Sequence, residues 1–477
     1  METPIELVWT TCDTSEFPDG FPLPAPGVEC ASIDAPVVHS DPAGATLTLR
    51  VARHKSNTFP SGKAVFQLAG GPGGSAVVQS GIVPRYMPHL RETFDLVYVD
   101  RRGTGGSGYL NCSRGYPGSR QEWEACAAEH AQVNLDHYLT VDAAHDLELV
   151  RRRLGYDRVY LRGGSYGTRL GLEYMRLYGE RVVAAALDGL APPNFDHFGE
   201  LIRNIDASFD RLVADCAASE GCLALSPSLG DDLVQRRRML HDTPRAITVG
   251  GTRYREDEWL FIDALVAAVW DSYWRYRVPR AVHEAVNGDN TRWNGLLSEL
   301  YGTTVADAPG GSLREAPRAP RIHPEWRGQN YVAPGLYLPV VCAEWLGNSD
   351  GIPALRALSG QQRWGNDVSG VSSVAMAEAC AAWNVAPIDA ALRQRVASSV
   401  PTLLMSGELD FNTSPAWGED ALLGLSHGTH LVLPFTTHST MAIPCGGQII
   451  TDFLAADGDL SQVDRSCIAA LREPAWE

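Results

Sequence analysis

At 477 residues the chain exceeds what one hydrophobic core ordinarily serves, so two units are expected, one inserted into the other. With 44% hydrophobic and 20% charged residues, it has the make-up of a folded globular protein. A formal charge of −17 argues against nucleic acid, whose phosphates need a basic face, and no apolar run reaches the ~18 residues of a membrane helix.

Residues 30–54 read as a hairpin, with Leu47, Leu49 and Val51 alternating with polar positions after the turn Asp41-Pro42-Ala43-Gly44. Short apolar runs at Ala64–Leu68, Leu96–Val99 and Val159–Leu161, each ending near a glycine-rich turn, read as buried parallel strands. A helix is expected over Val141–Leu154, with Thr140 as N-cap and Gly155 as its stop, and another over Arg169–Tyr178. A strand comes next at Val182–Leu187. From about Asn194 to Val396 the pattern turns helical and loop-rich, and eight of the twelve tryptophans fall there. Strand character returns at Thr402–Met405 and Leu431–Leu433, before a last amphipathic helix near Gln448–Leu454. The expected architecture is therefore α/β: a mostly parallel sheet flanked by helices, formed by 1–193 and 397–477, with an inserted, mainly helical cap at 194–396. The Pro/Gly-rich stretch Ala308–Pro334 reads as a surface loop of that cap.

The ten cysteines fall into local pairs: Cys12 with Cys30, Cys112 with Cys126, Cys216 with Cys222, Cys342 with Cys380, and Cys445 with Cys467. An even, unclustered set without Cys-x-x-Cys spacing favours disulfides over a metal site. Disulfides imply work outside the cytoplasm. Residues 1–19 lack the apolar core of a secretory signal, so either a signal has been removed or the export inference fails; a secreted protein is the expectation carried forward.

Chemistry concentrates in Gly163-Gly164-Ser165-Tyr166-Gly167, a Gly-x-Ser-x-Gly set between a strand and a helix. A serine hydroxyl is a poor nucleophile unless a base takes its proton and a third group holds that base. Asp410 comes after the strand at Thr402–Met405 and His438 after Leu431–Leu433, giving the chain order Ser, acid, His. Glu408 is a rival acid, and His427 and His430 are rival bases at the far end of the strand. The oxyanion of an acyl-transfer intermediate needs backbone amides: one from Tyr166, another from the loop Ala69-Gly70-Gly71-Pro72-Gly73-Gly74. That loop lacks the Lys-Ser/Thr of a P-loop, so no nucleotide, metal or other cofactor is expected.

Together with Asp100-Arg101-Arg102-Gly103-Thr104-Gly105, Ser406-Gly407-Glu408-Leu409-Asp410 and the Cys445–Cys467 tail, these motifs resemble secreted bacterial tripeptidyl aminopeptidases, relatives of proline iminopeptidases in the α/β-hydrolase superfamily. The resemblance implies that Gly71 gives the second oxyanion amide and that the cap selects substrate. Ala69 stands where proline iminopeptidases carry a histidine, which favours the tripeptidyl branch. The expected partner is a small peptide or a small-molecule acyl compound, with an esterase, lactonase or amidase as the alternative. A non-catalytic module that kept the fold is a further one. Trp259, Trp270, Trp274, Trp345 and Trp383 are candidates for an apolar pocket, set against the plainer reading as core. Glu344, beside Cys342, is the carboxylate first expected to meet a substrate α-ammonium, set against a surface glutamate.

Overall fold

The computed structural model describes residues 7–13, 15, 23–113, 117, 119–308, 314–315, 332–364 and 369–477. Most of the Pro/Gly-rich stretch expected as a loop lies outside them. Short β-branched and apolar runs become strands: β1 Thr10–Thr11, β2 Val28–Pro36, β3 Thr46–His54, β4 Ala64–Leu68, β5 Asp95–Val99, β6 Val159–Gly164 and β7 Val182–Asp188. Four more lie between 245 and 315: β8 Arg245–Val249, β9 Thr252–Glu256, β10 Val305–Asp307 and β11 Arg314–Glu315. β12 Thr402–Gly407 and β13 Gly428–Leu433 complete the set among the described residues.

The main sheet runs β1-β2-β3-β5-β4-β6-β7-β12-β13. β1, β2, β3 and β5 pair antiparallel, and every pair from β5 to β13 is parallel. β4 and β5 are buried at every position, as strands covered by helices on both faces must be. The register aligns the strand ends. Leu68 pairs with Gly163, Gly164 with Asp188, Met405 with Asp188 and Gly407 with Leu433. The carboxyl ends of β4, β6, β7, β12 and β13 therefore open onto one edge, where α/β sheets place their sites.

The helix after β5 spans Thr140–Leu154 and is stopped by Gly155 at φ 78°. Its N-cap is Leu139, so Thr140 lies inside the first turn and does not cap it. The Thr140 hydroxyl donates to Glu344 instead. The segment between β7 and β12 is mainly helical but also holds the four-stranded sheet β10-β8-β9-β11. Its hairpin turns on Gly250 and Gly251, both at positive φ, as a two-residue turn between antiparallel strands favours. Two apolar cores divide this segment. Residues from Leu201 to Val305, joined by Trp364 and Phe411, gather round Phe261, Leu265, Trp293 and Leu297 in a second core, whereas Leu336, Val340, Trp345 and Trp383 pack into the core beneath the main sheet. All five expected disulfides are present, Cys12–Cys30, Cys112–Cys126, Cys216–Cys222, Cys342–Cys380 and Cys445–Cys467. No described helix is long and apolar enough to cross a membrane.

Candidate active site

Ser165 stands between β6 and the helix Tyr166–Tyr178 with φ 55° and ψ −129°, a conformation that costs a non-glycine residue energy and persists where the surroundings fix it. The neighbouring glycines explain how. A Cβ on Gly163 would lie 2.6 Å from the Gly167 carbonyl oxygen, and one on Gly167 would run into the Leu68 carbonyl. The turn closes because neither has a side chain. The Ser165 N–H donates to the Asp188 carbonyl oxygen at 2.8 Å, tying the turn to the end of β7.

His438 and Asp410 come together on the loops after β13 and β12. His438 Nδ1 lies 2.9 Å from Asp410 Oδ2. Asp410 is buried, and its other oxygen accepts the backbone N–H groups of Asn412 and Thr413 at 2.9 and 3.0 Å. The Thr413 hydroxyl donates to Asp410 Oδ2 at 2.5 Å. Burial alone would depress the imidazole, but the charge and hydrogen bond of Asp410, with Asp188 farther off, outweigh it and raise His438 above its ordinary value of 6.5. The rivals lie elsewhere. His427 precedes β13 and bonds the Ser399 carbonyl, and His430, inside β13, bonds Ser406 Oγ at 2.9 Å. Glu408 is engaged by Arg211 at 2.9 Å and by the Phe435 N–H at 3.1 Å.

Asp188 is a site residue that local sequence patterns do not single out. Its carbonyl holds Ser165. Its carboxylate accepts the Thr440 N–H and hydroxyl at 3.1 and 2.9 Å and the Met441 N–H at 3.2 Å. One buried residue at the end of β7 thus links the turn of Ser165, through its carbonyl, to the loop of His438, through its carboxylate. A signal is present, an aspartate ending a buried apolar strand, but its partners lie some 250 residues away (252 for Thr440).

The glycine loop after β4 lies against Ser165. A Cβ on Gly70 would sit 3.1 Å from Ser165 Cβ and 3.6 Å from its Oγ, and Gly71 has φ 118°. Asp100, which opens the Asp-Arg-Arg-Gly motif, accepts the Ser75 hydroxyl at 2.7 Å and the Val77 N–H at 3.0 Å, and its second oxygen accepts the Gly106 N–H at 2.9 Å. This brace fixes the far end of the loop. Tyr166 opens its helix, so its N–H is among those without an intrahelical acceptor.

Beneath Tyr166 lies a buried polar network. Arg101 Nη1 donates to the Tyr166 hydroxyl at 2.6 Å, and that hydroxyl lies 2.5 Å from Thr140 Oγ1, which donates onward to Glu344 Oε2 at 2.8 Å. Burial pushes the Tyr166 phenol up to about 12. Glu344 also accepts the Thr140 N–H at 2.7 Å and pairs with Arg169 at 3.3 Å. The expectation of a carboxylate presented to a substrate therefore meets a different placement: Glu344 is 1% exposed, both oxygens are taken, and it braces the helix that begins at Tyr166. Nor is it a surface glutamate. Of the five candidate tryptophans, Trp274, Trp345 and Trp383 are core, Trp259 is exposed, and Trp270 meets the His438 ring at 5.3 Å between centroids. Among the described residues no group of three or more His, Cys, Asp or Glu side chains is arranged to hold a metal.

The comparisons with known proteins bear on this geometry. Over 246 residues the chain is 29% identical to serine protease Hip1 of Mycobacterium tuberculosis, covering 46% of each. It is 27% identical over 201 residues to tripeptidyl aminopeptidase of Streptomyces lividans, covering 36% of this chain and 37% of that one. A probable proline iminopeptidase of Leptolyngbya boryana is 31% identical over 147 residues, covering 30% and 36%. The chain thus spans less than half the length of these relatives. Residues 63–290 match the family model described as alpha/beta hydrolase fold, and residues 366–467 match one described as TAP-like protein. The first match takes in β4 to β7 and the second β12 and β13, so that between them they include every parallel strand of the main sheet: the chain has the α/β-hydrolase fold, with a carboxy-terminal part that matches the TAP-like model.

Proposed function

We propose that the protein is an exported serine aminopeptidase that releases short peptides from the amino terminus of its substrates through an acyl-enzyme. The observation that carries the reading is the 2.9 Å contact of His438 Nδ1 with buried Asp410, on the sheet edge where Ser165 is held in its strained turn. With the Nδ1 proton kept by Asp410, the Nε2 lone pair is free to take the Ser165 proton as Oγ attacks the scissile carbonyl. The Gly71 and Tyr166 amides receive the oxyanion. Nε2 then protonates the leaving amine as the C–N bond breaks, and water, losing its proton to Nε2, hydrolyses the ester.

The peptide preference draws support from the names of the relatives. Residues 194–396 act as the cap that limits substrate length, and the five disulfides fit an exported protein. An exopeptidase measures distance from a free α-ammonium, which needs a carboxylate at the blind end of its pocket. Since Glu344 is engaged in the network under Tyr166, that carboxylate is another acid of the cap. The test is a panel of tripeptide amides with free and acetylated amino termini, alongside aryl esters, each run against Ser165→Ala. Free peptides should be cleaved, acetylation should raise KM or abolish turnover, and Ser165→Ala should lose roughly four to six orders of magnitude in kcat. Equal cleavage of blocked peptides or plain esters would replace the peptidase by an esterase, lactonase or amidase.

A further inference from the structure

Contacts from the segment between β7 and β12 fall on the loops that carry His438 and Asp410. The helix Glu258–Val269, buried from Leu260 to Val269, ends at Trp270. The Trp270 ring stands edge-on to the His438 imidazole, with centroids 5.3 Å apart and planes at 71°, and edge-on to Phe411 at 5.4 Å and 87°. Phe411, next after Asp410, belongs to the apolar core of residues 201–305. Two positions beyond Trp270, the Ser272 N–H donates to Thr437 Oγ1 at 3.2 Å, and its hydroxyl donates to the Phe435 carbonyl oxygen at 3.1 Å.

The loop held this way is strained. Phe435 at φ 56° and Ser439 at φ 80° flank His438, and L residues keep such conformations only where their surroundings over-determine them. The sheet anchors one side: Asp188 takes Thr440 and Met441, and the Leu409 N–H donates to the Thr436 carbonyl at 2.8 Å. The other side is anchored from the intervening segment, by Ser272 on Phe435 and Thr437 and by Trp270 on the imidazole itself.

We propose that Trp270 and Ser272 are positioning residues for His438, so that the imidazole reaches the angle its proton transfer needs only when residues 201–305 are seated on the sheet edge. The proposal rests on the reading of His438 as general base. It differs from a wall of a substrate pocket in what it moves. A wall sets KM for peptides and leaves a small reagent indifferent; a positioning contact sets the rate at which Ser165 reacts with anything, because misplacing a reacting group by about 1 Å costs on the order of 10²-fold.

The test measures the second-order rate of Ser165 labelling by a small alkyl fluorophosphonate, together with kcat and KM on a cleaved peptide or ester. Wild type is compared with Trp270→Ala, Trp270→Phe, Ser272→Ala, Thr437→Val and His438→Ala, all with intact disulfides. Trp270→Ala should slow labelling and kcat by on the order of 10²-fold with little change in KM, Trp270→Phe should restore most of the rate, and Ser272→Ala and Thr437→Val should each slow labelling by about fivefold, the worth of one neutral hydrogen bond. Should Trp270→Ala fail to fold, the Ser272 and Thr437 variants carry the test. Wild-type labelling rates in the Trp270, Ser272 and Thr437 variants, with any effect confined to KM, overturn the proposal while leaving His438 as base. Labelling of His438→Ala at the wild-type rate removes the general base, and the proposal with it.

Discussion

Residues 201–305 and 333–388 both lie between β7 and β12, yet they join the sheet in different ways. The first stretch has its own core, built on Phe261, Leu265 and Trp293, and meets the sheet edge through Trp270, Ser272, Arg211 and the ring of Phe411. The second has no core apart: Leu336, Val340 and Trp345 share the one beneath the sheet, Glu344 pairs with Arg169 of the helix begun by Tyr166, and the Ala333 N–H donates to the Gly73 carbonyl at 2.9 Å. Contiguity in sequence is thus no guide to mechanical role. One stretch rests on the loop of His438, while the other is part of the foundation under Ser165 and the glycine loop.

Breaking the foundation gives the largest expected effect on stability. Glu344→Ala leaves Arg169 buried with one partner fewer and should cost about 3–5 kcal/mol, read as a lowered urea midpoint, and should slow Ser165 labelling because Tyr166 loses its brace. A loss below about 1 kcal/mol would mean that the second stretch carries no load. The disulfides sharpen the contrast. Cys342–Cys380 closes a separation of 38 residues in the second stretch and Cys216–Cys222 one of 6 in the first, so chain entropy assigns them about 4 and about 2 kcal/mol. Urea unfolding of the two Cys-to-Ser double variants should rank in that order; the reverse ranking would show that the first stretch is the more firmly integrated.

Much of the sheet edge is legible in the sequence because its determinants are local. β4, β5 and β6 are short apolar runs with glycines in or close after their carboxyl ends, and the turn at Ser165 needs small residues two places either side, which leaves a mark in five consecutive letters. Thr140 reads as a helix cap because serine-like residues before a periodic run usually are; its hydroxyl instead serves Glu344, 204 residues away. The roles of Asp188 and Glu344 escape the sequence for the same reason, their partners being distant in the chain. The β8–β9 hairpin, which the helical reading of the cap left out, has a local signal: Gly250-Gly251 between two β-rich runs is a turn in its own right.

A smaller effect comes from the charges around His438. Only the neutral imidazole accepts a proton, and its folded value lies above 6.5, so kcat/KM should climb with pH along an acid limb whose midpoint lies above that figure. Asp188→Asn removes one of the charges that raise it, and the midpoint should move to lower pH. An unmoved or raised midpoint would detach Asp188 from His438.

The most direct test of the central claim is mass mapping of the adduct formed by an alkyl fluorophosphonate on the native protein. The account predicts one modified residue, Ser165, with labelling lost in His438→Ala and reduced about 10⁴-fold in Asp410→Asn, where the imidazole is left in the wrong tautomer. An adduct on any other serine, or undiminished labelling without His438, would contradict it.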